Sequence, residues 1–247
     1  MKNKLLFIGL PFFIILFYAF SCDDNNGYSL GDFQIRIATV VLEDDDKFSL
    51  ILDDGNKLLP IISDVRYQPA DGQRVFLNYT ILSDDDHYGY NHAIKINDIW
   101  NILTKKPIQL NAANADSIGN DPIEINEMWI GSDYLNVDFL FNYGGIRPHA
   151  VNLVENSLQP SPEDGKIHLE FRHNSYQSHT SQKFNGFVCF NLKQFQVNDA
   201  DSVNLSIKVQ EWDGVKTYDL TYAYDEAAFQ NIASISSVPM VSSNDYY

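Results

Sequence analysis

The chain has 247 residues, with 17 Lys and Arg against 33 Asp and Glu, a formal net charge of −16. So acidic a surface excludes nucleic acid as a partner, because phosphate backbones reward basic surface, and it disfavours anionic lipid as a contact face. The length exceeds one typical small domain, so two domains are expected; 16 Phe, 14 Tyr and 3 Trp supply ample filling for β cores.

Residues 1–21 read as an export signal. Lys2 and Lys4 precede an apolar run from Leu5 to Phe20, interrupted by Gly9 and Pro11. That run is too short to span a bilayer, and Pro11 would break a helix. Ser21 directly precedes Cys22, as lipoprotein cleavage requires, although Ala19 stands where Leu is commoner. Cys22 is therefore the expected lipidation site. Cleavage removes Lys2 and Lys4 and no acid, which leaves 15 basic residues against 33 acidic ones, a net −18. Each buried acyl CH₂ contributes about 0.8 kcal/mol, and two or more chains hold a body firmly to the membrane.

Residues 22–32, with Gly27 and Gly31, are expected to form a flexible tether too polar to pack. Alternation predicts strands at 33–40, 48–52, 58–62, 74–82 and 93–103. Asp53-Asp54-Gly55-Asn56 is a hairpin turn. Pro60 marks an edge or a strand end, and 64–72 reads as a loop with one helical turn. Five strands in so short a stretch predict a small Greek-key barrel of the OB type over 33–106. Lys105-Lys106-Pro107 marks a boundary and 107–121 a linker. Seven further strands, at 123–130, 134–143, 149–155, 167–172, 184–190, 203–210 and 215–224, predict an antiparallel β-sandwich over 122–235. A short helix at 225–235 and a frayed tail at 236–247 complete an all-β chain.

Several motifs look like those of one family. Cys22-Asp23-Asp24, Gly27-Tyr28-Ser29-Leu30-Gly31-Asp32-Phe33, Ile37-Ala38-Thr39-Val40-Val41 and Leu52-Asp53-Asp54-Gly55 resemble the first half of NigD-like lipoproteins. Trp129-Ile130-Gly131-Ser132-Asp133-Tyr134-Leu135 and Leu169-Glu170-Phe171-Arg172-His173-Asn174 resemble the second half. The resemblance covers nearly the whole mature chain. It implies an N-terminal OB-like domain, a C-terminal β-sandwich and no known chemistry; an immunity role has been suggested for the family. With Asp23 and Asp24 as sorting signals, the expected address is the outer membrane of a Gram-negative envelope, with display at the surface.

The chain lacks a Gly-rich phosphate loop, a His-Glu-x-x-His helix and a Gly-x-Ser-x-Gly elbow. Asp84-Asp85-Asp86-His87-Tyr88-Gly89 invites a calcium reading, but an EF-hand register puts Lys95 where a bidentate Glu belongs. No metal and no cofactor are expected. Cys189, in Phe187-Val188-Cys189-Phe190, reads as an inert buried thiol rather than a nucleophile partnered by His149 or His173. His168, Glu170 and Arg172 share one strand face and read as a polar sheet surface. In an OB fold the loops between strands 1 and 2 and between strands 4 and 5 border the ligand face. Here those loops hold Glu43, Asp44, Asp45 and Asp46, and Asp84, Asp85 and Asp86 with Tyr88 and Tyr90 beside them. Such a cleft would attract a basic protein or peptide. The expected function is therefore non-enzymatic binding of a protein partner, through the OB face or the interdomain groove. The alternative is glycan binding, with Tyr88, Tyr90, Trp100, Trp129 or Trp212 stacking on sugar faces.

Overall fold

The computed structural model describes residues 28–43, 47–84, 89–178 and 180–224. The expected export signal, Cys22, the short helix at 225–235 and the tail lie outside the described residues. Strands β1 (Gln34–Leu42), β2 (Phe48–Leu52), β3 (Lys57–Ser63), β4 (Arg74–Asp84) and β5 (His92–Asn101) close a barrel in the order β1-β2-β3-β5-β4. Closure leaves no free sheet edge. At the β2–β3 turn the Gly55 N–H donates to the Leu52 carbonyl, and Gly55 sits at φ 84°, where a Cβ would be strained. β3 runs parallel to β5, and the register slips between Pro60 and Ile62. The slip is where a residue without an N–H is tolerated inside a sheet. No helical turn forms over 64–72; that stretch is irregular and ends in a turn whose Gly72 N–H donates to Val40. Leu50, Leu58, Leu77, Ile94 and Ile96 fill the barrel.

The second half is a sandwich of two sheets. Strands β6 (Leu103–Lys105), β7 (Ile108–Leu110), β8 (Glu124–Gly131), β9 (Tyr134–Asn142), β10 (Ala150–Asn156), β11 (Ile167–Asn174), β12 (Lys183–Asn191), β13 (Ser202–Glu211) and β14 (Gly214–Ala223) pair as β14-β13-β11-β10-β7 and β6-β12-β9-β8. Leu135, Val137, Phe139 and Phe141 alternate inward from β9, as the sequence pattern predicts, and meet Leu153, Phe171, Ile207 and Tyr222 of the facing sheet. Most pairings are antiparallel. β6–β12, β7–β10 and β11–β13 are parallel. The last of these follows from topology, because β12 lies in the other sheet and the chain must cross back before β13.

The expected linker at 107–121 is corrected by the structure. β7 adds to β10, and the helical turn Ala115–Ile118 buries Ile118 against Leu110 and Val154. Three-residue strands fall below the length at which alternation is readable. β6, expected within the barrel domain, pairs instead with β12.

Gly186 on β12 lies so close to Phe139 that a Cβ there would fall 2.5 Å from the ring. Phe139 is fully buried. Gly186→Ala is therefore expected to destabilise by about 1–3 kcal/mol through overpacking. A urea midpoint equal to that of the parent would show that the ring has room to move.

Candidate functional site

The two domains meet across a continuous core. Ile37 and Phe76 from the barrel pack on Tyr134, Phe187 and Cys189 of the sandwich, with Trp129 at the rim. The Phe76 and Phe187 rings are 5.0 Å apart, edge to face. Inside this seam lies a charged pair. Arg74, at the start of β4, is fully buried and grips Asp53 through two contacts, Nη1 to Oδ1 at 2.6 Å and Nη2 to Oδ2 at 2.7 Å. Its Nη1 also donates to Thr39 Oγ1, and its Nη2 donates to Asn136 Oδ1 across the domain boundary. The same Asn136 oxygen accepts from the Cys189 thiol at 3.1 Å. Burial pushes the Cys189 thiol up to about 12, with Arg74 only tempering the rise. A thiol so protonated is no nucleophile at neutral pH. Burial alone would lower the Arg74 pKa, but Asp53 beside it raises it overall.

Between the domains opens a groove of about 810 Å³. One wall is the β2–β3 hairpin, Asp54 to Lys57, with Gly89 and Asn91 of the β4–β5 loop. The other holds Ser132 and Asp133 from the β8–β9 turn, Lys193 and Gln196, and Tyr224 after β14. Asp133 organises the sandwich wall, accepting from the Tyr222 hydroxyl at 2.6 Å and from Gln196, and pairing with Lys193. Lys57 organises the barrel wall. Its Nζ is 2.9 Å from Glu43 Oε1 and lies over the Tyr90 ring, 4.8 Å from the centroid. Its backbone exchanges two hydrogen bonds with Asn91. Hydrogen bonding to Lys57 and to Ser49 holds the Glu43 carboxyl below its usual range.

Of the expected loop residues, Glu43 and Tyr90 thus meet on one lysine. Asp84 lies at the other side of the β4–β5 loop, where it accepts from the Tyr28 hydroxyl and contacts His92 Nδ1; these contacts lower its pKa, Tyr28 foremost. Tyr28 also sets its ring edge-on to His92, so this end of the expected tether does pack. Asp44, Asp45, Asp46, Asp85, Asp86 and Tyr88 lie outside the described residues. A groove between the domains was one of the two binding places expected, but its lining was not foreseen. Its sandwich wall comes from the turn Gly131-Ser132-Asp133, readable as a hairpin, but nothing in the sequence says which surface that turn faces.

Two family models match the chain in succession. The NigD-like N-terminal OB domain matches residues 37–102, and the NigD-like C-terminal β-sandwich domain matches residues 106–222. The chain belongs to the NigD-like family. Among solved structures, a protein of unknown function from Bacteroides vulgatus is 31% identical, with 83% of this chain and 97% of that chain covered and a TM-score of 0.71. A protein from Parabacteroides distasonis described as toxin-related is 38% identical, with 79% and 96% covered and a TM-score of 0.69. A NigD-like immunity protein from Bacteroides caccae shares the fold at 19% identity, with 78% and 97% covered and a TM-score of 0.60. No curated protein matches.

Most of the other side chains singled out in this NigD-like chain have structural partners. His149 and His173 pair with each other, Nδ1 to Nε2 at 2.9 Å, and His149 Nε2 donates to the Ser178 carbonyl. Glu170 accepts from Arg172 Nε at 2.6 Å and from Asn156 Nδ2, and His168 Nε2 contacts Asp164. Trp129 packs on Phe187, and Trp212 carries the Lys183 ammonium over its ring at 4.0 Å. Trp100 is 49% exposed. Among the described residues no group of three or more His, Cys, Asp or Glu is placed to hold a metal, and no helix is long and apolar enough to cross a membrane.

Proposed function

We propose that this NigD-like protein is a non-enzymatic envelope lipoprotein, anchored through Cys22, that binds a basic protein or peptide in the groove between barrel and sandwich. The observation that carries the reading is the groove: both domains line it, and it is large enough for several side chains; the preference for a basic partner comes from the acidic balance of the chain and from the sequence of the two loops, Glu43 to Asp46 and Asp84 to Asp86. Its walls hold paired acids and bases and no constellation of nucleophile and base, which favours binding over catalysis. An immunity-type role, in which the partner is a toxin, is suggested by what the Bacteroides caccae and Parabacteroides distasonis relatives are said to be.

The test is crosslinking of the lipidated protein in cells, followed by capture and mass spectrometry. It is repeated with Glu43, Asp44, Asp45, Asp46, Asp84, Asp85 and Asp86 changed to their amides. A stoichiometric partner with a basic contact surface is expected, lost in the amide variant and weakened by salt, since exposed charges are screened within about 10 Å at 0.1 M. A partner that binds the amide variant equally well would sink the charge-based reading. Absence of any partner would move the search to glycans.

A further inference from the structure

We propose that the N-terminal edge of the barrel is a lipid-contact surface, through which the body lies against the membrane that holds its anchor. The inference rests on lipidation at Cys22, as proposed above, but not on the groove. Ile37 faces outward from β1 and is covered by the sandwich, together with Phe76 and Phe187. Residues two apart on a strand share a face. Ile35 therefore continues the Ile37 row and is 42% exposed, and Phe33, just before β1, is 62% exposed. Leu30, three residues earlier, is 77% exposed. Three large apolar side chains in six residues thus stand exposed among the described residues, beside the apolar interface that buries Ile37.

The chain itself indicates what covers them. Tyr28 is held to the barrel by Asp84 and His92, so the emerging chain leaves from this edge. Cys22 lies six residues before Tyr28. At no more than about 3.5 Å per residue, the acylated cysteine stays within about 20 Å of Tyr28. Acyl chains in the bilayer therefore keep Leu30, Phe33 and Ile35 within reach of its surface. The lipid face that suits them is zwitterionic, because Asp32 lies in the same stretch and the body carries a large negative charge. Arg36 supplies one cation beside it. A second copy of the chain is the poorer occupant, since two bodies of net −18 repel.

The experiment uses the mature lipidated protein in phosphatidylcholine vesicles. An environment-sensitive fluorophore is placed at Ile35→Cys, and in a separate sample at Val215→Cys, an exposed position on β14. Cys189 is buried and does not compete for label. Nitroxide lipids are expected to quench the label at position 35 severalfold more than the label at 215. Adding Leu30→Ser and Phe33→Ser is expected to shift the docked-to-free ratio by roughly tenfold or more, since each fully buried large side chain is worth about that factor. Equal quenching at the two positions, or a label at 35 that is already shielded without vesicles, overturns the proposal. Partner capture by the Leu30→Ser, Phe33→Ser variant is expected to be unchanged, so a failed groove and a failed lipid contact are told apart.

Discussion

Arg74→Met is expected to cost about 3–5 kcal/mol of stability, because it leaves a buried carboxylate without its partner. Asp53 is fully buried in the seam, and both of its oxygens face Arg74. Asn136 Nδ2 also donates to Asp53 Oδ2, at a long 3.4 Å. The loss falls on both domains at once. Arg74 and Asp53 belong to the barrel, while Asn136 and Cys189 belong to the sandwich. Urea unfolding followed separately in the two domains should show one shared transition at a lower midpoint. Combining Arg74→Met with Asp53→Asn should recover part of the loss, since the stranded charge is then gone. Two separate transitions in the parent, or an unchanged midpoint in Arg74→Met, would refute this account. Gly131 belongs to the same assembly: a Cβ there would lie 2.2 Å from Asp53 Oδ2.

Acid should destabilise the fold through His173. The ring is buried, and burial, followed by the neighbouring His149, pushes its pKa down to about 4 from an ordinary 6.5; Asp121 opposes the shift. The hydrogen bonds explain the direction. His149 Nε2 donates to Ser178, so neutral His149 accepts at Nδ1 from His173 Nε2–H. That leaves His173 Nδ1 as the site for a further proton, buried and unsatisfied, with Asp121 offsetting only part of the cost of charging it. A native pKa below the unfolded value means that the unfolded chain takes up the proton first as pH falls. Stability is therefore full above about pH 6.5 and declines toward pH 4, by about 3 kcal/mol in all. A thermal-midpoint series from pH 7.5 to 4 would display this limb. His173→Leu should flatten it, whatever that change costs at neutral pH. An equal slope in the variant would assign the acid limb to carboxylates instead.

Both effects arise where the sequence was least informative. The strands of each domain were readable because alternation and Asp-Gly turns are local: 48–52, 134–143 and 215–224 coincide with β2, β9 and β14 within a residue or two. The inward set Leu135, Val137, Phe139 and Phe141 was readable for the same reason. The outward set was not. Asn136 and Asp138 look like solvated positions on a half-buried strand, yet both are buried. Asn136 is buried because another domain lies over it, and no period of 2 or 3.6 encodes that. Arg74 likewise reads as the polar start of a strand. The acidic loops were legible as composition, but their neighbour Lys57 was not; it reaches Glu43 and Tyr90 only because β3 starts between the two loops.

β6 and β7 carry the chain from the barrel into both sheets of the sandwich within eight residues. Lys105 reinforces the crossing by donating to the Val151 carbonyl and to Asn152. At its start the Ile102 N–H donates to the Arg74 carbonyl. A short, hydrogen-bonded connection and a shared apolar seam oppose swinging of the domains about the groove. For the proposed partner this would mean a mould already cast: little conformational entropy would be lost on docking, and a misfit would not be accommodated by closure. Discrimination among related partners then falls to the few side chains on the groove walls, and changes at Asn56, Ser132 or Gln196 are where related chains would diverge in what they hold.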